Sequence, residues 1–534
     1  MPREFAHPVT LTFRAAVARL YAGSVIDRWR IWGVAGVVVS MICAASAFAA
    51  LSPALSTPDE TAHMDYAYQV WTGHLPVFEN GLVFRPPAKV PPVQWEAQHP
   101  PLFYALLAPV VGPLVNGGHW LAAVLAGRAV CVLIAVACVI ALAWAGSLVS
   151  TRRPAAWAIA VPAVVAPFSP FMRVGGSVYN DNLATLFAIL ALGIGILALR
   201  RGVSRGVLAA AAAVAAGGMF SRAMFVITLL VLIGTLLAAE WTHGDRRWPS
   251  LARRFTLITV SPLVACAITS GWFYLRNKHL TGTYTGGHSD WAEGHLDRSS
   301  QPITHVLTEN QFWGTNMQLL RQQGNGINSW LGPLLLEVLA AAAVIVQIAR
   351  FARRRRAIDR TQLAIGLMLG AQVAGTLLME AGYVAGGGGI ITRYLLPALL
   401  PFGVLLAAAV LSAPRVVAAL GLFTYLAVAW GFFVSWAWIQ PTGDDSHWSG
   451  HTVNHVPWSL VTVALAGIVG GAAAQTWALA RVQVTPPRVG HRPAHARTVA
   501  SRDRAIQRPR AARNLVPVEP AGSRPAGGPE LGPG

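Results

Sequence analysis

The stretch from Leu121 to Ser150, LAAVLAGRAVCVLIAVACVIALAWAGSLVS, runs for thirty residues with a single charged side chain, Arg128. A helix needs about 20 apolar residues to cross a bilayer, so this segment alone removes the chain from the ordinary soluble class. Composition points the same way: of 534 residues, 54% are hydrophobic and 12% charged, where soluble domains carry roughly 25% charged residues. Ile31 to Leu51 is a second run of the same kind. Working outward through the apolar runs gives twelve candidate spans, beginning near Ile31, Leu121, Ala155, Asn180, Gly206, Ala223, Arg254, Asn328, Thr361, Ile391, Pro414 and Val456. The expected fold class is an all-α polytopic membrane protein of about twelve transmembrane helices. Its parts are a cytoplasmic N-terminal segment (1–30), a transmembrane domain (31–480) and a basic, disordered cytoplasmic tail (481–534). The first run reads as a retained helix rather than a cleaved signal peptide, because its apolar core is long and thirty polar or mixed residues precede it.

A net charge of +19 would suggest nucleic acid in a soluble protein, but its distribution argues against that partner. Ten Arg lie between Arg481 and Gly534 against Asp503, Glu519 and Glu530, and most of the remaining excess sits in short loops between apolar runs. With the N-terminus in the cytoplasm, alternate loops place Arg152/Arg153, Arg200/Arg201/Arg205, Arg246/Arg247/Arg253 and Arg353 to Arg356 on the inner side, as the positive-inside rule requires. The tail then lies inside, against anionic lipid. Pro101 to Leu114 is apolar too, but counting it as a span would put Arg152 and Arg153 outside, so it reads as a surface helix. The four cysteines, Cys43, Cys131, Cys138 and Cys266, fall inside apolar runs, where a small hydrophobe is explanation enough.

This arrangement sends three larger segments to the outer side of the plasma (inner) membrane: 52–120, 276–327 and 440–455. They hold most of the acids and His residues, so chemistry belongs there. The first opens with Thr57-Pro58-Asp59-Glu60-Thr61-Ala62-His63. Thr57 as N-cap, Pro58 at the first helical position and Glu60 two residues on form a capping box. Capping requires neither Asp59 nor His63 one turn later on the same face. Further on, Gln98-His99-Pro100-Pro101-Leu102-Phe103-Tyr104 starts a second amphipathic surface helix. Ionisable and polar groups also mark the outer ends of spans: Arg128, Asn180 with Asp181, Arg222, Arg276 with Asn277, and Arg393 with Tyr394. An Arg deep in a bilayer costs roughly 3 kcal/mol unless paired or hydrated. A pocket both acidic and basic at the membrane surface suits a phosphate-bearing amphiphile.

At these residues the sequence resembles the GT-C class of polytopic glycosyltransferases, in the branch of protein O-mannosyltransferases and aminoarabinose transferases. The matching pieces are Pro58-Asp59-Glu60 with His63, His99-Pro100-Pro101-Leu102 with Tyr104, and Arg128. Gly176-Ser177-Val178-Tyr179-Asn180-Asp181, Gly271-Trp272-Phe273-Tyr274-Leu275-Arg276-Asn277 and Arg393-Tyr394-Leu395-Leu396-Pro397 match later blocks. The resemblance implies a GT-C-like fold and an enzyme that uses a polyprenyl-phosphate sugar donor and an extracytoplasmic glycan, lipid or protein acceptor. It departs from the pattern at Arg222, where relatives often carry Lys, and in lacking a C-terminal outer domain.

On that reading Asp59 takes the proton of the acceptor hydroxyl, with Glu60 and His63 orienting or tuning it. Donor binding falls to His99, Arg128, Asn180, Asp181, Arg222, Arg276, Asn277, Arg393 and Tyr394. Of these, Arg276, Arg393 or His99 would stabilise the leaving phosphate by charge-assisted hydrogen bonds. A divalent metal, Mg or Mn, held by Asp59, Glu60 and His63 ranks below the metal-free version. Two other classes compete. Glu337 and Glu380 within apolar runs fit the ion pathway of a secondary transporter, although no internal repeat supports that fold. The other is a non-catalytic protein that binds polyprenyl lipid.

Overall fold

The computed structural model describes residues 28–87, 90–317, 359–439 and 449–482, with part of 337–349. Among these residues secondary structure is helical, apart from one isolated bridge between His451 and Pro457. Among the described residues nine helices are long and apolar enough to cross a membrane, and a tenth span results if one bent pair is counted as a single crossing. The chain is therefore a multi-pass membrane protein. The expected count of twelve is not reached among the described residues. The span near Gly206 is a helix of 15 residues, about 22 Å at 1.5 Å per residue against the roughly 30 Å of a bilayer core. The one near Asn328 is described only in part of 337–349, and 1–27 and all but the first two residues of the 481–534 tail lie outside the described residues.

The helices in order are α1 (Arg28–Leu51), α2 (Glu60–Trp71), α3 (Leu102–Asn116), α4 (Trp120–Val149), α5 (Pro154–Val165), α6 (Ser169–Gly175), α7 (Asp181–Arg201), α8 (Arg205–Met219) and α9 (Val226–His243). Then come α10 (Trp248–Cys266), α11 (Trp272–Thr281), the short α12 (Ser289–Leu296), α13 (Ile303–Thr308) and α14 (Asn310–Asn316), and α15 (Arg360–Ala385), α16 (Leu399–Val410), α17 (Arg415–Ile439) and α18 (Trp458–Arg481). The first and last spans pack backbone to backbone because Gly36 faces Gly471: a methyl on Gly36 would lie 2.7 Å from the Gly471 carbonyl oxygen. Small residues permit such close contact where lipid offers no hydrophobic drive. Ser40 adds a hydrogen bond to the Ile468 carbonyl at 3.2 Å.

The loop ends sort onto two faces of the bundle. At one face Arg153 donates to the Leu411 carbonyl, Gln362 and Arg200 to that of Val149, and Arg415 to that of Val482. Arg254 joins Glu240 and the Val203 carbonyl. The described basic loops thus share a face, as their alternation along the chain anticipates; Arg353 to Arg356 lie outside the described residues. The opposite face carries α2, α3 and the heads of α7, α9 and α16. There α2 and α3 lie against each other, with Trp71 seated over Gly112, where any Cβ would fall 2.1 Å from the indole. They are the two surface helices expected in the first outer loop.

Two interruptions aim the chain at this face. Prolines at 162, 167 and 170 break the third span into α5 and α6, bent by 85°, since each removes a backbone donor. The bend delivers Ser177 to Asp181 to the head of α7. Likewise, one turn of π-helix at Ala267–Gly271 separates α10 from α11, which carries Arg276 and Asn277.

Candidate active site

Helix α2 starts two residues later than the capping box requires. Glu60 is its first residue, and Asp59 is the N-cap, at φ 66°, without a side-chain capping bond. Aspartate tolerates this left-handed conformation better than most residues, yet it remains uncommon outside glycine. The reason lies in Glu60, whose carboxylate turns inward to Arg128 instead of back to the helix. Arg128 Nε meets Glu60 Oε1 at 2.8 Å and Nη2 meets Oε2 at 2.7 Å, both side chains fully buried. Backbone amides of Leu55 and Val178 donate to the same carboxylate at 3.0 and 3.1 Å. Arg128 spends its other donors on the carbonyls of Ala49, Ser52 and Pro53. Asn454 helps to hold the same turn through the Ala49, Ala50 and Ser52 carbonyls. Glu60 and Arg128 therefore saturate each other and pin the turn from which Asp59 projects.

Asp59 Oδ2 accepts from Arg393 Nη2 at 2.7 Å. Arg393 Nε lies 3.2 Å from Asp181 Oδ2, and Asp181 Oδ1 lies 2.8 Å from Arg222 Nη1. The same Arg222 nitrogen donates to Asn180 Oδ1 at 2.6 Å. Charges thus alternate along Asp59, Arg393, Asp181 and Arg222, drawn from four separate parts of the chain. Aromatic faces back both cations: Tyr179 lies 4.5 Å from the Arg393 guanidinium carbon and Tyr394 4.6 Å from that of Arg222. Hydrogen bonding in the cluster is incomplete. Ser177 Oγ, Asn180 Nδ2, Asp181 Oδ2, Arg222 Nε and Arg393 Nε are buried without an aligned partner among the described residues. Orphaned buried polar atoms are rare and costly, and those on Asn180, Asp181, Arg222 and Arg393 belong to one linked cluster. Beside them lies a small cleft lined by Asp181, Arg222, Met224, Phe225, Tyr394 and Pro397.

A second network adjoins the first. His63, on α2, places Nδ1 3.0 Å from the Tyr104 hydroxyl of α3 and 3.5 Å from Glu96. His99 Nε2 lies 3.0 Å from Glu96 Oε2. Burial pushes both imidazoles down to about 3, so both rings are neutral. Burial, then the charge of Glu96, raises Asp59 above the ordinary carboxylate range, while Arg393 works against the rise.

Sequence reasoning passed over Glu96. It stands three residues before His99 on the 3₁₀ turn Trp95–Gln98, a spacing that puts acid and imidazole together. Its turn is built by Asp65, which accepts from the Val83 and Phe84 amides and from Gln69 and Gln94, and by Gln94, which accepts from the Glu96 amide.

Arg276 and Asn277 reach this face but serve the loops. Arg276 donates to the Pro76 carbonyl at 2.7 Å and Asn277 to that of Gln98 at 3.0 Å. Asp59, Glu60 and His63 do not fit a shared cation: Glu60 is filled by Arg128, and His63 faces Tyr104 and Glu96. Among the described residues no group of three His, Cys, Asp or Glu side chains could hold a metal ion. Of the two acids that suggested an ion pathway, Glu337 is exposed, and Glu380 is buried with its carboxylate on the Ile391 amide at 3.1 Å, fixing the approach to Arg393.

No family model and no curated protein matches the chain. Among solved structures it is similar to ArnT from Cupriavidus metallidurans bound to undecaprenyl phosphate, at TM-score 0.47 and 13% identity over 85% of this chain and 76% of that one. It is also similar to the Archaeoglobus fulgidus oligosaccharyltransferase tethered with an acceptor peptide, at TM-score 0.39 and 12% identity over 88% of this chain and 58% of that one. A further likeness is to the same organism's AglB in complex with an inhibitory peptide and a dolichol-phosphate, at TM-score 0.39 and 11% identity over 86% and 57% of the two chains.

Proposed function

We propose that this protein is a membrane glycosyltransferase that moves a sugar from a polyprenyl-phosphate donor to an acceptor hydroxyl at the extracytoplasmic face of the inner membrane. The observation that carries this reading is the ion-paired cluster of Asp59, Arg393, Asp181 and Arg222, in which Asn180 Nδ2 and Arg222 Nε are buried without a hydrogen-bond partner, beside a cleft with apolar walls. Unspent donors in a cluster with two guanidinium groups match a phosphate, which accepts planar, charge-assisted hydrogen bonds. The apolar walls match the first units of a prenyl chain. Asp59, about one-third exposed, lies within reach of solvent and of that phosphate subsite at once.

In the reaction, the acceptor hydroxyl oxygen attacks the anomeric carbon while its proton passes to Asp59. The bond from that carbon to the phosphate oxygen breaks, and the phosphate leaves with the electron pair. Arg393 and Arg222 stabilise the growing charge where water is scarce, from positions fixed beforehand by Asp181 and the two tyrosine faces. One carboxylate suffices for such a single displacement, which inverts the anomeric centre. Glu60 and Arg128 act through geometry: they hold the turn that projects Asp59. No step needs a metal at Asp59, Glu60 and His63.

The experiment is incubation of the purified protein in lipid with a panel of radiolabelled polyprenyl-phosphate sugars, beginning with mannose and arabinose, together with envelope extract as the acceptor source. Transfer by the wild type and its loss in Asp59→Asn, with polyprenyl phosphate still bound, is the expected result. Binding without transfer from any donor would reduce the protein to a lipid-binding module.

A further inference from the structure

Glu96 is 3% exposed, and its Oε2 gathers three neighbours: His99 Nε2 at 3.0 Å, His63 Nδ1 at 3.5 Å and the Tyr104 hydroxyl at 3.5 Å. A carboxylate only accepts, so the His99 nitrogen facing it carries the hydrogen. We propose that Glu96 is a positioning residue that acts through His99: it holds the ring proton on Nε2, so that His99 meets substrate with the lone pair of Nδ1 and receives a hydroxyl of the acceptor, not the phosphate of the donor.

The argument rests on counting donors, and on the glycosyl-transfer reading for the identity of the hydroxyl. A neutral imidazole has one N–H. Burial and the positive charges of Arg222 and Arg393 favour the neutral His99 ring, against the pull of Asp59, Asp181 and the adjoining Glu96. Its one N–H is spent on Glu96. What remains is an acceptor, repelled by phosphate oxygens and attracted by a hydroxyl. The sequence expectation that His99 helps to clamp the leaving phosphate is thereby reversed. The ring is set for this role from behind: the Tyr66 hydroxyl donates to the His99 carbonyl at 2.9 Å. The groups around the ring are Glu96 on its own turn, Asp59 and His63 at the head of α2, Tyr104 on α3, Asp181 on α7, Arg222 before α9 and Arg393 before α16. No proton is transferred at His99; the hydroxyl bonded there gives its proton to Asp59.

The test is ¹⁵N NMR of histidine-labelled protein in lipid, with the His99 signal identified by its loss in His99→Gln. His99 should read as the neutral Nε2–H tautomer from pH 5 to 8, and Glu96→Gln should release it into a mixture of tautomers. In parallel, His99→Gln should bind undecaprenyl phosphate within about twofold of wild type, while Arg393→Ala binds it about tenfold more weakly. An Nδ1–H or protonated His99 at pH 6 to 7, or equal weakening by His99→Gln and Arg393→Ala, would overturn the proposal. Should the wild type transfer no sugar at all, the glycosyltransferase reading falls, while the tautomer and binding results are judged by themselves.

Discussion

Asp59 and Arg393 stand 334 residues apart in the chain and meet at 2.7 Å. The contact ties the turn before α2 to the turn before α16, so the proposed base and the cation proposed for the leaving group are set side by side. It also puts the base in an unresolved contest. Burial and the nearby Glu96 carboxylate favour the protonated form of Asp59, and Arg393 favours the ionised one.

That contest fixes the sign of a pH effect. Asp59 works as a base only when ionised, and its pKa is raised above the usual 3.8. Transfer should therefore increase with pH along an acid limb displaced upward from an ordinary carboxylate. Because Arg393 lowers the Asp59 pKa, Arg393→Gln should move the limb further up. The pH dependence of sugar transfer in both proteins measures this, and a limb that moves down in Arg393→Gln would take Asp59 out of the base role.

Asp59→Asn preserves the shape of the side chain but not its basicity. Turnover should fall by roughly 100-fold or more, with undecaprenyl phosphate bound as before, since the guanidinium groups remain. Parallel turnover and binding measurements separate these effects. Near-normal turnover would shift the base to another acid, with Asp181 next to be tried.

How far the site could be read from sequence follows from the kind of signal each residue carries. Arg128 is conspicuous because it interrupts thirty residues of apolar sequence, and Asp59, Asp181, Arg222 and Arg393 stand out at the ends of such runs. Their mutual pairing is not legible, since residue pairs such as Asp59 and Arg393 have no sequence proximity to betray them. Glu60 misleads: the local pattern is that of a capping box, and only the tertiary ion pair with Arg128 overrides it. Glu96 is hidden for the opposite reason, as one acid in an irregular polar loop. The spans are legible because bilayer thickness imposes their length, except where prolines split α5 from α6 or where α8 is short.

Glu60 and Arg128 should behave as structural residues. Arg128→Ala strands a fully buried carboxylate, and breaking a buried pair in this way costs about 3–5 kcal/mol. Thermal unfolding in detergent should show a large loss for Arg128→Ala, whereas Asp59→Asn should unfold near the wild-type temperature. A stable Arg128→Ala variant with normal turnover would mean that the turn before α2 is held by Asn454 and the backbone alone.

The positive-inside rule predicts an orientation for the bundle. Single cysteines at positions 79 and 290, on the face of α2 and α12, should react with an impermeant maleimide from outside intact cells. A cysteine at 246, in the basic loop between α9 and α10, should react only after permeabilisation. The reverse pattern would place the Asp59 site in the cytoplasm and remove an extracytoplasmic acceptor.

The segment from Thr281 to His295, Gly-rich at its start and aromatic beyond, makes contacts that suit a lid over the site. Its Gly-rich start leads to Gly286 at φ 74°, packed against Asn277 and Gln98, where a Cβ would meet the Asn277 amide at 2.9 Å. Beyond it, His288 stacks on Phe78 at 3.6 Å between ring centres, and Trp291 on α12 packs against Trp95 at 5.5 Å. Trp95 directly precedes Glu96, so the segment rests on the turn that carries the second carboxylate of the site. Aromatic and loop contacts and a long ion pair between His288 and Glu79 at 3.9 Å hold it there, and segments with few buried contacts open most readily. Donor bound beneath should stabilise the closed arrangement and exclude water from the phosphate and Asp59. Hydrogen exchange across 281–295 should therefore slow when undecaprenyl phosphate saturates the protein, and Trp291→Ala should abolish the slowing while leaving exchange in α4 unchanged. Equal exchange with and without the lipid would leave the segment a surface loop with no part in closure.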